Sequence, residues 1–171
     1  SSGSIERPLV FGNNDTPGVM LSSAAKEYLK VYGVLVGKKP LIFTNNDSGY
    51  ETAIEFKKNG VEPIILDTRK EPKSEIIDEA KKLNIQIKFS YVVVAAKGYK
   101  KVKSAEVAKI SDDKKELGTL ENINCDCICV SGFWTPTIHL ASQSGNKTTF
   151  DKDIDAFVPG VSKQNETTLG A

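Results

Sequence analysis

The chain has 171 residues, 39% hydrophobic and 26% charged, which is enough for a real core and ordinary for a globular protein. Its 23 basic and 22 acidic residues leave a net charge of +1, so the composition carries no electrostatic footprint for a nucleic-acid partner. No apolar run has membrane-spanning length and no signal-peptide pattern opens the chain, so a cytoplasmic setting without a membrane partner is expected.

Ser1-Ser2-Gly3-Ser4 reads as a true loop or an expression remnant. Arg7 to Phe11 follows as a short strand or extended stretch, and Gly12 to Gly18 is dense in turn formers. Val19 to Tyr32 predicts a helix: Leu21, Ala24, Ala25, Tyr28, Leu29 and Tyr32 recur at helical spacing, and Gly33 is its stop. Lys39 to Thr44 is an apolar run of the buried parallel-strand type. Asn45 to Ser48 is a polar turn, Gly49 to Asn59 a helix closed by Gly60, and Val61 to Leu66 a strand ending on Asp67. Together these make a βαβ unit. Pro72 to Leu83 predicts a further helix, with Glu75, Asp78 and Glu79 on its solvated face. Ile85 to Ala96 gives one or two strands, Lys97 to Lys100 a hairpin turn, Lys101 to Ser111 a strand, and Glu116 to Asn122 a segment that pairs back. Cys125 to Ser131 is the return strand, stopped by Gly132. The expected fold class is therefore α/β: a Rossmann-like three-layer domain with a parallel sheet and an antiparallel β-meander, of the FAD/NAD(P)-binding type.

Cys125, Cys127 and Cys129 alternate, so a regular strand would put all three on one face, spaced too widely to share a metal or close a disulfide. Reduced strand thiols are expected, and no metal site. Gly132-Phe133-Trp134-Thr135-Pro136 presents an aromatic pair on a loop, either for stacking on a ring cofactor or as a cap over the sheet edge. His139 has no nucleophile or ligand partner in sequence and reads as structural. No catalytic residue is assigned.

The dinucleotide fingerprint places three glycines after the first strand, for a tight turn, close approach of pyrophosphate and helix–strand packing. The matching positions here are Thr44, Asn46 and Gly49, so only the third glycine is kept. Asn46 tolerates a positive φ but puts a side chain where backbone should meet phosphate, and Asp47 adds a negative charge. Asp67 ends the second strand, where an acidic residue would hold the ribose of NAD; Arg69 would instead meet a 2′-phosphate. The candidate cofactor-binding residues are Thr44, Asn45, Asn46, Asp47, Ser48, Gly49, Asp67 and Arg69. Two readings stay open: NAD bound with asparagine side chains as donors, or a persisting fold with an altered or empty site.

Longer motifs carry a resemblance. Ser2 to Phe11 followed by Asn14 to Met20, Phe43-Thr44-Asn45-Asn46-Asp47-Ser48, Val130 to Leu140, and Ser142-Gln143-Ser144-Gly145 resemble the alpha-subunit family of heterotetrameric sarcosine oxidases. The wider class resembled is that of the two-dinucleotide-domain flavoproteins, which includes thioredoxin reductase. The resemblance implies an NAD-type domain over residues 18–128, inserted into a host FAD-type domain represented by the crossing segment 1–17 and by the return crossing and partial host domain 129–171. It implies a fragment of a longer subunit, without turnover alone. The parent activity implied is oxidation of sarcosine to glycine, the one-carbon unit passing to tetrahydrofolate, with NAD, FAD and FMN as further cofactors and other oxidase subunits as partners. The Cys-x-x-Cys of disulfide-reducing relatives is absent here. The alternatives are a scaffold that docks neighbouring subunits, or a subunit of another amine or opine dehydrogenase.

Overall fold

The computed structural model describes residues 3–113, 115–165 and 167–168. The chain divides into two compact units, one formed by residues 8–133 and the other by residues 1–7 with 134–171.

In the larger unit the strands are β2 (Val19–Leu21), β3 (Pro40–Thr44), β4 (Ile64–Asp67), β5 (Gln86–Phe89), β6 (Tyr91–Lys97), β7 (Ser104–Lys109), β8 (Glu121–Asn124) and β9 (Cys127–Ser131); β1 (Ser4–Glu6) lies in the smaller unit. The helices are α1 (Ser22–Tyr32), α2 (Ser48–Lys58) and α3 (Glu75–Lys82). Five strands form a parallel sheet in the order β2-β9-β3-β4-β5, and β6-β7-β8 form an antiparallel meander. Every residue of β3 and β9 is buried, as a parallel sheet covered on both faces requires. Alternation along each strand assigns the faces. Ile42, Ile65, Cys127 and Cys129 pack with Ala25, Leu29, Tyr50, Phe56 and Ile77 of the helices. Leu41, Phe43, Leu66, Ile128 and Val130 pack with Val93, Ala105 and Val107 of the meander. The α/β three-layer architecture is thus helices, parallel sheet, meander.

Val19–Leu21 corrects the expected helix start. These residues are β2, paired with Ile128–Val130, and α1 begins only at Ser22. Gly18 sets this up: its φ is +108°, a conformation natural to glycine, and its carbonyl accepts the Ile128 N–H at 2.8 Å. The stop is as expected, Gly33 capping α1 at φ 65°. Residues 7–11 are an extended stretch rather than a strand, anchored by the buried Phe11 against Phe43.

The cysteines also differ from the simple alternation. Cys127 and Cys129 face the helices, but Cys125 packs with the meander, because a bend at Asp126 separates it from β9. The Asp126 carboxylate accepts the backbone N–H groups of Lys38 and Lys39, each at 2.8 Å, which holds that bend. All three thiols are free and buried. Burial first, then the neighbouring Cys127 and Asp126, push the Cys125 thiol from 9.0 up to about 12. The folded state therefore keeps a proton that the unfolded chain loses, so this contribution to stability is whole below pH 9 and drains away as pH rises toward 12. Urea midpoints measured from pH 8 upward should fall less steeply for Cys125→Ala than for the parent chain; parallel curves would contradict the assignment.

In the smaller unit β1 (Ser4–Glu6) pairs antiparallel with β10 (Trp134–Pro136), and β11 (Thr148–Asp151) pairs with β12 (Ala156–Pro159) across the Phe150–Phe157 contact. Of the opening Ser1–Ser4 segment, Ser4 is thus part of a strand, while Ser1 and Ser2 lie outside the described residues. The five-residue α4 (His139–Gln143) opens on an exposed His139. The expected aromatic loop is divided: Phe133 closes the larger unit at φ 85°, while Trp134 is the first residue of β10.

Candidate functional site

In open α/β sheets, ligands bind beyond the carboxyl ends of the strands. Here that edge is formed by Thr44, Ser131 and Asp67, which stand side by side in register.

Thr44 is fully buried. Its Oγ1 donates to the Asn46 carbonyl at 2.8 Å and accepts the Asn46 N–H at 3.1 Å, which closes the loop on itself. No residue from 44 to 49 has a positive φ, so the expected left-handed asparagine is not how the turn is made. Side chains make it instead. The Asn46 amide, 7% exposed, donates to the Ser131 carbonyl at 3.1 Å, to the Ser131 hydroxyl at 3.2 Å and to Asn45 Oδ1 at 3.0 Å. Its Oδ1 accepts the Ser48 N–H at 2.9 Å and also the Ser48 hydroxyl. An N–H in the first turn of a helix is an anion-binding group, and here the chain's own amide oxygen holds it.

Gly49 retains the packing role of the third fingerprint glycine. A Cβ there would lie 2.6 Å from Thr44 Cβ and 2.7 Å from its Oγ1, so α2 sits against β3 at a distance only glycine permits.

Asp67 is also fully buried and fully engaged. It accepts the Tyr50 hydroxyl at 2.7 Å, the Arg69 N–H at 2.9 Å and the Arg69 guanidinium through Nη2 at 2.8 Å and Nε at 3.1 Å. The remaining arm of Arg69, Nη1, reaches Asp47 Oδ1 at 2.8 Å. Burial works to lower the Arg69 pKa, but the bonds to Asp67 and then Asp47 outweigh it and hold the guanidinium above its ordinary range. Burial, reinforced by the bond to Asp67, holds the Tyr50 phenol far above its usual value, so Tyr50 is a permanent donor. Asp47 lies just before the first turn of α2, where the helix dipole also favours its charge.

The eight candidate residues therefore form two clusters. Thr44, Asn45, Asn46 and Ser48 gather on Ser131, with Gly49 packed beneath; Asp47, Asp67 and Arg69 gather with Tyr50. Ser131 and Tyr50 escaped the sequence reading. The signal for Ser131 was its place before Gly132 at the end of a buried strand, the same place Thr44 has on β3. A hollow of ≈ 410 Å³ lies at the opposite, amino-terminal edge of the sheet beside Lys39, Pro63, Asn84 and Gln86, and none of the eight residues lines it. Among the described residues no cluster of three metal-ligating side chains occurs, and no helix is long and apolar enough to cross a membrane.

No family model matches the chain. Among curated proteins it is 34% identical over its whole length to the sarcosine oxidase subunit alpha of Corynebacterium sp. (strain P-1), and 37% identical over its whole length to that of Rhizobium meliloti (strain 1021). The chain is a relative of sarcosine oxidase alpha subunits. It spans 18% and 16% of the length of those two proteins. Among solved structures it resembles thioredoxin reductase of T. acidophilum, with a TM-score of 0.68 at 16% identity over 96% of this chain and 56% of that one. It also resembles L-proline dehydrogenase of P. horikoshii, with a TM-score of 0.57 at 20% identity over 95% of this chain and 26% of that one. The structural likenesses establish the Rossmann-like fold that this chain shares with those proteins, and the curated relatives' own names make each of them one subunit of a larger enzyme.

Proposed function

We propose that the chain is part of the alpha subunit of a multi-subunit, cytoplasmic amine oxidoreductase of the sarcosine-oxidising kind. On this reading residues 18–128, within the larger unit, are the inserted NAD-type domain, which works as architecture without turnover of its own. The parent enzyme would convert sarcosine to glycine and pass the one-carbon unit to tetrahydrofolate, with NAD, FAD and FMN held outside the Thr44–Ser48 loop.

The observation that carries the architectural part is the filling of the cleft by the chain's own groups. The residues present do not fit a dinucleotide. A pyrophosphate needs free first-turn N–H groups and bare backbone; the Asn46 side chain holds the Ser48 N–H and reaches across to the Ser131 carbonyl. A ribose needs carboxylate lone pairs, and Asp67 spends its own on Tyr50 and Arg69. Opening the site would break a buried network, 0% exposed at Asp67 and 7% exposed at Asn46.

Calorimetric titration of the chain with NAD and with NADP tests this. The expected outcome is no saturable heat up to about millimolar ligand, the range in which non-specific contacts begin. A micromolar dissociation constant for either would replace the architectural reading with a working nucleotide site.

A further inference from the structure

Helix α1 turns Ala25 and Leu29 inward, yet its outer side is not wholly polar. Tyr28, Val31 and Tyr32 are 46%, 63% and 66% exposed, and Val34 and Leu35 follow at 49% and 44%. Single exposed apolar side chains need no explanation, but five within residues 28–35 form a patch of the kind that marks a binding surface.

The charges around the patch indicate what covers it. Lys26 is paired with Glu51 at 2.6 Å and Lys30 with Glu55 at 3.8 Å, so both flanking cations are neutralised by α2. Glu27 has no ion-pair partner among the described residues. It lines a hollow of ≈ 290 Å³ with Ala24, Tyr28 and Tyr32. The two phenol rings stand with centroids 6.0 Å apart and planes tilted by 48°. Ring faces carry partial negative charge, so rings and carboxylate give the hollow one electrostatic sign. A hard metal ion would need several oxygen ligands, and one carboxylate does not supply them. A guanidinium meets both needs, pairing with the carboxylate while its plane lies on a ring.

We propose that this face docks a sister subunit, with an arginine of that subunit seated in the Glu27–Tyr28–Tyr32 hollow and apolar side chains of the same surface covering Val31, Val34 and Leu35. The proposal rests on the reading of the chain as part of a multi-subunit enzyme. That reading supplies the occupant, and the uncompensated carboxylate lining one hollow with two phenol rings supplies its chemistry.

The test uses the full-length subunit that carries this chain, co-expressed with its own sister subunits, and measures assembly by analytical ultracentrifugation alongside the melting temperature of the isolated subunit. Glu27→Lys, an exposed change, should weaken assembly at least about tenfold with the melting temperature unchanged. Tyr28→Phe with Tyr32→Phe should keep assembly, because the ring faces remain. Full assembly of Glu27→Lys would overturn the proposal. So would a fall in the isolated subunit's own stability, which would make the occupant another part of the same chain. Self-association of the isolated subunit that Glu27→Lys abolishes would make it a second copy, and would overturn the proposal too. Failure of the unmodified subunit to join any sister subunit would instead remove the multi-subunit reading beneath it.

Discussion

Asp67→Asn should lower stability by about 3 kcal/mol, a drop of roughly 10 °C in melting temperature, with no change in any nucleotide affinity. The carboxylate is fully buried and carries a phenol, a backbone N–H and a guanidinium. The amide is the same size, so no cavity opens; the loss is electrostatic and geometric. One oxygen becomes an N–H₂ donor facing the Arg69 N–H groups, which only donate, and the half-buried guanidinium is left with Asp47 as its one carboxylate partner. Tyr50→Phe removes a single neutral donor and should cost only about 1 kcal/mol. Thermal unfolding by circular dichroism separates the two roles of Asp67. If it served a ribose and not the fold, Asp67→Asn would melt with the parent chain.

Gly49→Ala should cost about 2 kcal/mol, although alanine at an open helical position would gain about 1 kcal/mol over glycine. The new methyl would sit 2.6 Å from Thr44 Cβ, and Thr44 cannot move aside, being fully buried with its hydroxyl bonded to both backbone groups of Asn46. Either α2 lifts from β3 or the loop opens. The clash is specific to one side chain, so a double-mutant cycle reads it: on a Thr44→Gly background, Gly49→Ala should turn neutral or stabilising in urea unfolding. An unchanged cost there would mean that the strain lies in the helix and not at this contact.

Most of the layered fold was legible in the sequence because its signals are local. The apolar run before Thr44, the helical spacing after Ser48 and the stops at Gly33 and Gly60 each act within a few residues. What was not legible depends on partners far along the chain. Val19–Leu21 has apolar residues at positions that also suit a helix, and only pairing with Ile128–Val130 makes it a strand. Cys125 looked in phase with Cys127 until the Asp126 carboxylate, held by the Lys38 and Lys39 N–H groups, bent the backbone between them. At the candidate site, residue types announced the position but not the use. Asn46 was visible as an intruder in a glycine loop, while its partner Ser131 lies on a strand arriving from the far end of the unit. Asp67 and Arg69 read as groups awaiting ribose or phosphate, and the structure pairs them with each other.

The position of β9 also sets the order in which this sheet can be completed. It is the last of the five parallel strands in sequence but lies second in the sheet, between β2 and β3. β3, β4 and β5 can assemble as the chain emerges, each beside its predecessor with a helix between. β2 is paired with β9 alone and must wait, its backbone groups unpaired, until the chain has run through the whole meander to Cys127. Closing the sheet thus depends on pairing Val19–Leu21 with Ile128–Val130, contacts far apart in sequence of the kind that slows folding in general.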